Sequence, residues 1–197
     1  MSDPAMGPAS GRSSPPSGGE FVAFLRAINV GGHTVKMDRL RALFEETGVR
    51  DVATFIASGN VIFRAAAAGP ALEARIERQL FEALGYEVAT FIRPLPRLAQ
   101  IAAAAPFVND GVENGGTLYV GFLKHAGKAA AREALEDLRS DTDDFVLKDR
   151  ELYWLCRTRF SDSPVSGGLL EKRLDTLLTI RNANTLERIV RKFDAER

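Results

Sequence analysis

Two short polar stretches each follow a run of apolar residues typical of a buried strand. The first is Arg26-Ala27-Ile28-Asn29-Val30-Gly31-Gly32, which continues as a loop to Lys36, and the second is Ser58-Gly59-Asn60. The glycine pair allows a ligand to approach the backbone closely. Arg26 and Lys36 add positive charge beside the N–H groups that begin a helix. These are the components of a site for a small anionic or phosphorylated ligand.

Each stretch also has a structural interpretation, which stays open. A Gly-Gly pair between a strand and a helix is often only a loop that needs positive φ angles, and Ser-Gly-Asn is an ordinary hairpin turn. Arg26 is harder to explain in this way, because a charged side chain in a strand must be exposed, paired or used in binding.

A third polar cluster lies near the end of the chain, from Thr179 to Thr185. Asn184 with Glu187 three residues on predicts an N-cap and capping box for the last helix. Arg181 and Asn182 lie just outside that helix, and a guanidinium there suits a carboxylate or phosphate. The candidate ligand contacts are therefore Arg26, Asn29, Gly31, Gly32, Lys36, Ser58, Gly59, Asn60, Arg181 and Asn182.

The periodicity of the first half predicts the elements that would position these residues. Apolar patterns predict strands at 21–25, 51–57, 60–63 and 87–92, and helices at 37–47 and 70–84. Their order, β-α-β-β-α-β, is that of ferredoxin-like folds. In this arrangement the end of the first strand and the turn after the second lie on one edge of the sheet, roughly 10 Å apart. One small ligand could then contact both stretches.

The second half predicts a degenerate repeat, βαββαα, in which a helix replaces the fourth strand. We expect an α+β protein with a disordered tail at 1–19, a ferredoxin-like domain at 20–93, a helix and connector at 94–116, and a second α+β domain at 117–197. The tail is rich in Ser, Gly and Pro and lacks hydrophobic periodicity, so it cannot bury enough apolar surface to become ordered.

Composition excludes several classes of function. The 197 residues include 26 basic and 26 acidic side chains, and zero net charge leaves no overall electrostatic footprint for nucleic acid or an anionic membrane. One cysteine, no signal-peptide pattern and no long apolar run predict a cytoplasmic protein without a membrane anchor. His33 and His125 lie far apart and no nucleotide-binding glycine motif is present, so we expect neither a metal nor a cofactor.

Three motifs resemble those of the DUF1697 family of uncharacterised bacterial proteins: Arg26-x-x-Asn29-Val30-Gly31-Gly32, Ser58-Gly59-Asn60-Val61-Ile62-Phe63 and Thr179-x-Arg181-Asn182-x-Asn184-Thr185. The resemblance runs from about Phe21 to Phe193. It implies an α+β fold with a ferredoxin-like first half, and it implies no activity. In that family the last motif usually reads Arg-Asn-Trp-Asn-Thr, and Ala183 stands here at the tryptophan position.

Two alternatives to a small-ligand site remain open. RNA-recognition motifs share the topology of the first half and bind single-stranded RNA on an open sheet face, although only Phe63 of the third strand could stack on a base. The protein could instead have a structural role without a ligand, as a monomer or as a homodimer formed through unpaired strand edges. Whether the site would also catalyse a reaction is left open.

Overall fold

A computed structural model describes residues 18–29, 31–56, 59–104, 106–107, 116–128 and 130–194. The predicted disordered tail lies outside these residues up to position 17, and so does most of the predicted connector, residues 108–115. Gly19, which the prediction placed in the tail, is already the first residue of a strand.

The first half contains the elements in the predicted order, β-α-β-β-α-β. They are β1 (Gly19–Leu25), α1 (Met37–Glu45), β2 (Arg50–Phe55), β3 (Asn60–Ala65), α2 (Pro70–Leu84) and β4 (Thr90–Pro94). The strands form a four-stranded sheet in the order β2-β3-β1-β4. Because β1 and β2 each pair antiparallel with β3, they run parallel to each other.

Local sequence sets the ends of α2. Pro70 occupies the first turn, where its fixed φ suits a helix and its missing N–H costs nothing. Gly85 ends the helix in the left-handed conformation, at φ +79°. The fourth strand lies further along than predicted, since it begins at Thr90 and extends through Arg93 to Pro94.

The second half has a fourth strand, so the prediction of βαββαα was wrong. After α3 (Leu95–Ala103) come β5 (Thr117–Leu123), α4 (Ala131–Glu136), β6 (Asp143–Lys148), β7 (Glu151–Cys156), a 3₁₀ turn (Phe160–Asp162), α5 (Gly167–Leu174), β8 (Leu178–Asn182) and α6 (Ala183–Asp194). The strand order is β6-β7-β5-β8.

The error has a physical cause. Leu177 and Leu178 continue the helical spacing of Leu170 and Leu174, and this pattern predicts one helix that extends through Leu178. Asp175 instead adopts a left-handed conformation at φ +51° and ends α5. The chain then pairs as β8 with β5.

The two sheets pack face to face through a shared apolar core. At its centre the rings of Phe24 and Phe122 stack, with centroids 4.1 Å apart and planes 11° apart. Val22 and Ile62 of the first sheet and Val120 and Leu155 of the second lie in the same cluster, together with side chains of α3 and α6. The face that the RNA-binding alternative requires to be open is therefore buried.

Helices cover the two outer faces. α1 and α2 pack on the first sheet, with Leu40, Phe44 and Ile76 in that core, and α4 and α5 pack on the second, with Leu135 and Leu170. Among the helices of the described residues, none has the length and apolar character needed to cross a bilayer.

Replacing Phe122 with Ala should lower the free energy of unfolding by about 3–5 kcal/mol, because the ring is fully buried and its loss leaves a cavity between the sheets. Phe81→Ala is the matched control: this phenylalanine is 51% exposed, so we expect a change within about 0.5 kcal/mol. Urea denaturation of both variants measures the difference, and equal effects would contradict a core shared between the sheets.

Candidate functional site

The C-terminal end of β1 and the turn between β2 and β3 meet at one corner of the molecule. Leu25 N–H donates to Gly59 O at 2.8 Å, and Asn60 lies opposite Phe24 in the strand pairing. We call this corner the rim, formed by the 26–36 loop and the 58–60 turn. Val30, Ala57 and the predicted contact Ser58 lie outside the described residues.

Gly59 is fixed by close packing as well as by its backbone conformation. Its φ is +74°, and a Cβ at this position would lie 2.6 Å from Ile28 Cγ2 and 3.1 Å from Leu25 Cβ. The turn therefore touches the 26–36 loop directly, and only glycine fits the contact.

Three interactions hold the 26–36 loop. Asn29 Oδ1 accepts a hydrogen bond from Val35 N–H at 2.9 Å, and the Tyr86 hydroxyl donates to Ile28 O at 2.9 Å. The His33 ring stacks on Tyr86 with centroids 4.0 Å apart. Desolvation raises the pKa of Tyr86, so its hydroxyl stays protonated as the donor.

Two glycines lie at the exposed tip of this loop. Gly31 and Gly32 have φ angles of +65° and +86°, and a Cβ on either would have no heavy atom of the described residues within 4 Å, apart from those of its chain neighbours. Lys36 is exposed at the start of α1, and its side chain does not cap the helix. The backbone here is open to an incoming group.

Arg26 forms a two-point ion pair with Glu171 of α5. The Nε–Oε1 distance is 2.8 Å and the Nη2–Oε2 distance is 2.9 Å, and the arginine side chain remains 41% exposed. The same carboxylate accepts the N–H of Leu178 at 3.0 Å. The charge of Arg26 is thus partly neutralised by a residue from the other half of the chain.

Arg181 of β8 reaches across to the rim. Its Nε donates to Asn60 Oδ1 at 2.7 Å and its Nη2 to Leu25 O at 2.9 Å, while Nη1 donates to the Thr179 hydroxyl at 2.8 Å. Its guanidinium carbon lies 5.6 Å from the Phe24 ring centroid. Desolvation lowers the pKa of Arg181 to about 10, which leaves the side chain charged at neutral pH.

Asn60 connects this arginine to the turn. The residue is only 1% exposed, and its Nδ2 donates to Phe55 O at 3.0 Å across the β2–β3 hairpin. Its side chain is therefore in place to position the rim rather than to face solvent.

Asn182 lies away from the rim. Its Oδ1 accepts the N–H of Asn184 at 2.9 Å, so it caps α6, which begins at Ala183. The prediction that Asn184 is the N-cap was wrong, and Asn182 takes this role. Ala183 is buried and lines a separate cavity of about 180 Å³.

Each half of the chain extends an arginine from its fourth strand into the other half. Arg93 of β4 lies opposite Val22 of β1, and Arg181 of β8 lies opposite Val120 of β5. Each arginine donates to two groups of the other half of the chain. One is the carbonyl of the last residue in that half's first strand, and the other is the side chain of the first residue in its third strand. For Arg93 these acceptors are Leu123 O at 3.3 Å and Glu151 Oε1 at 2.7 Å.

Ion pairs between the two halves follow the same pattern. Arg26 follows β1 and pairs with α5, whereas Lys124 follows β5 and pairs with Glu77 of α2 at 2.7 Å. Glu77 accepts Thr90 N–H at 2.8 Å, and this amide begins β4 as Leu178 begins β8.

Sequence reasoning missed Arg93, Glu151 and Glu171. Ile92-Arg93 and Ile180-Arg181 share two residues at equivalent positions, and aligning the halves on their fourth strands would have revealed the duplicated arginine. No local signal distinguishes Glu171, because its ion-pair partner Arg26 lies 145 positions away. Within the described residues, no group of three or more His, Cys, Asp or Glu side chains is placed to hold a metal.

This architecture, two four-stranded antiparallel sheets with helices on their outer faces, defines an α+β protein. A family model described as "Protein of unknown function (DUF1697)" matches residues 19–153, and the chain belongs to this family. The conserved bacterial protein SP0830 from Streptococcus pneumoniae has a similar structure, with a TM-score of 0.67 over 90% of this chain and 99% of that chain. Its 19% sequence identity supports a shared fold only. A search of curated proteins finds no match.

Gly59→Ala should destabilise the protein more than Gly31→Ala. Both substitutions place an alanine at positive φ, at about 1–2 kcal/mol, but only the Cβ at position 59 meets neighbouring atoms. Denaturation curves of the two variants isolate the close contact, and equal losses of stability would contradict it.

Asn60 and Arg181 should be energetically coupled. Asn60→Ala leaves buried polar groups without acceptor or donor, which costs about 1–3 kcal/mol. In a double-mutant cycle with Arg181→Met, we expect the two losses to be non-additive by about 0.5–3 kcal/mol. Strict additivity would show that the hydrogen bond contributes nothing to stability.

Proposed function

We propose that this protein binds a small anionic or phosphorylated ligand at the rim. The observation that supports the proposal best is convergence: segments around Arg26, Asn60 and Arg181, far apart in the chain, meet at the end of β1. Contacts of this kind position a surface loop on a rigid scaffold, which is the usual way in which proteins present a binding site.

The proposed ligand contacts are the exposed groups of the 26–36 loop. Gly31 and Gly32 leave their backbone N–H groups approachable, and Lys36 brings a positive charge to the start of α1. Arg26 is oriented by Glu171 and still has 41% of its side chain exposed. In this proposal Asn29, Gly59, Asn60 and Arg181 keep the loop in place and do not bind the ligand themselves.

We also propose that each half is a ferredoxin-like unit. The support is that both halves share the element order βαββαβ and equivalent strand orders, β2-β3-β1-β4 and β6-β7-β5-β8. The domain boundaries, the cytoplasmic location and the choice between monomer and homodimer stay predictions. A ligand-free structural role also stays a prediction, and light scattering across protein concentrations addresses the dimer.

Isothermal titration calorimetry with ribose 5-phosphate and with inorganic phosphate at low ionic strength tests the proposal. We expect saturable binding that weakens as salt screens the charges. Lys36→Ala should weaken binding about three- to fivefold, since it removes one exposed charge.

Lys148→Ala is the matched control, because Lys148 is also exposed but lies at the end of β6, in the second sheet. It should bind as wild type does. Absence of saturable binding by the wild type would refute the proposal, and equal weakening by both variants would place the anion elsewhere.

A further inference from the structure

The internal duplication provides a comparison between two equivalent cations. The backbone N–H of Arg26 donates to Ala89 O, and that of Lys124 donates to Leu177 O, both at 2.9 Å. Each side chain pairs with a carboxylate of the opposite half. A difference in their surroundings therefore comes from the side chains at each site rather than from the course of the backbone.

The two cations differ in access. Lys124 is 17% exposed, and its ammonium group is surrounded by Glu73, Glu77 and Thr90 O at 2.7–2.9 Å. Arg26 is 41% exposed and bonds Glu171 through Nε and Nη2, so its Nη1 is the nitrogen left for a further contact within the described part of the chain. Lys124 also lines a cavity, of about 400 Å³, but its three ammonium hydrogens are matched by these three acceptors, whereas Arg26 keeps a nitrogen for a ligand.

Arg26 opens on a cavity of about 270 Å³, which we call the Arg26 cavity. Its walls include Phe160, Gly167, Glu171, Thr179 and Ile180. The volume lies just below the range of about 300–1,000 Å³ typical of small-molecule sites. It suits one aromatic ring system rather than a larger cofactor.

Phe160 packs on two other aromatic rings and yet is partly exposed. Its ring packs on Tyr119 and Trp154, with centroids 4.8 and 5.1 Å away, and the residue remains 42% exposed. A large aromatic side chain exposed beside a cation is a surface on which a flat ring can stack.

We propose that the Arg26 cavity binds the aromatic ring of the anionic ligand, so that the ligand is an aromatic phosphate of the nucleoside monophosphate type. The ring packs against Phe160, and the phosphate binds Arg26 and the backbone of Gly31 and Gly32. Glu171 does not prevent this, because its carboxylate is already engaged by Arg26 and by Leu178 N–H. The inference rests on the proposed function and adds the chemical class of the ligand.

Calorimetric titration with adenosine 5′-monophosphate, phenyl phosphate and ribose 5-phosphate tests the inference. Stacking of one base typically strengthens binding roughly 5- to 150-fold, so we expect the wild type to bind the aromatic phosphates more tightly than ribose 5-phosphate by a factor in this range. Phe160→Ala should remove that advantage and leave ribose 5-phosphate binding unchanged.

Phe81→Ala is the control, because Phe81 is similarly exposed but lines the cavity of about 400 Å³ beside Lys124, the equivalent cation whose hydrogen bonds are already taken. It should bind all three compounds as wild type does. Gly167→Leu is a second variant: a Cβ there would lie at an ordinary contact distance of 3.7 Å from Ile180, so a larger side chain on this wall should occupy the cavity and abolish the aromatic advantage.

The outcomes separate the two proposals. Equal affinity of the wild type for all three phosphates would overturn the aromatic class while supporting the anion site. Aromatic selectivity that survives both Phe160→Ala and Gly167→Leu would place the ring elsewhere and overturn the inference. Absence of binding by every phosphate would overturn both proposals.

Discussion

A guanidinium placed between two sheets must find acceptors for its donors, and this requirement organises the corner around Arg181. Removing the charge from water is costly, so the protein surrounds it with Asn60, the Leu25 carbonyl and the Phe24 ring. These acceptors belong to β1 and to the β2–β3 turn, while the arginine belongs to β8. Satisfying one side chain therefore brings three distant segments together and fixes the base of the exposed loop.

The two equivalent sets of arginine contacts show which features belong to the fold and which are particular to one corner. Arg93 and Arg181 cross the interface in the same way, so crossing itself is architectural. The acceptors differ, since Glu151 is a carboxylate and Asn60 is an amide. The equivalent cations differ too, since Lys124 is held by two carboxylates and a carbonyl, while Arg26 is held by one carboxylate and is more exposed. Both differences involve residues of the rim, and they are the physical reason to seek function there.

Much of the fold could be predicted from local patterns. Pro70 and Gly85 mark the ends of α2, and this helix has the predicted bounds of 70–84. The helix predicted through Leu178 was wrong because Asp175 ends α5 in a conformation that side-chain periodicity cannot reveal. Pairing with β5 is a long-range interaction, and it places Leu178–Asn182 in a strand.

The candidate site was only partly accessible to sequence reasoning. Residue types at the ends of strands indicated the rim, but the partner of Arg26 lies 145 positions away and leaves no local trace. Phe160 falls in a segment with no periodic pattern, so its place beside Arg26 depends on the packing of the second sheet against the first. The order of the strands predicts which motifs lie at one edge of a sheet. The exposure of a side chain becomes known only from the three-dimensional structure.

The reciprocal ion pairs make each half a structural support for the other. Glu77 accepts a hydrogen bond from the first amide of β4, and Lys124 of the other half holds it in place. In the same way, Glu171 accepts the first amide of β8 and is held by Arg26. Separating the halves would break both pairs and expose the apolar faces between them. The chain should therefore unfold in a single cooperative step. A destabilising substitution in either half should lower the melting temperature of the whole protein.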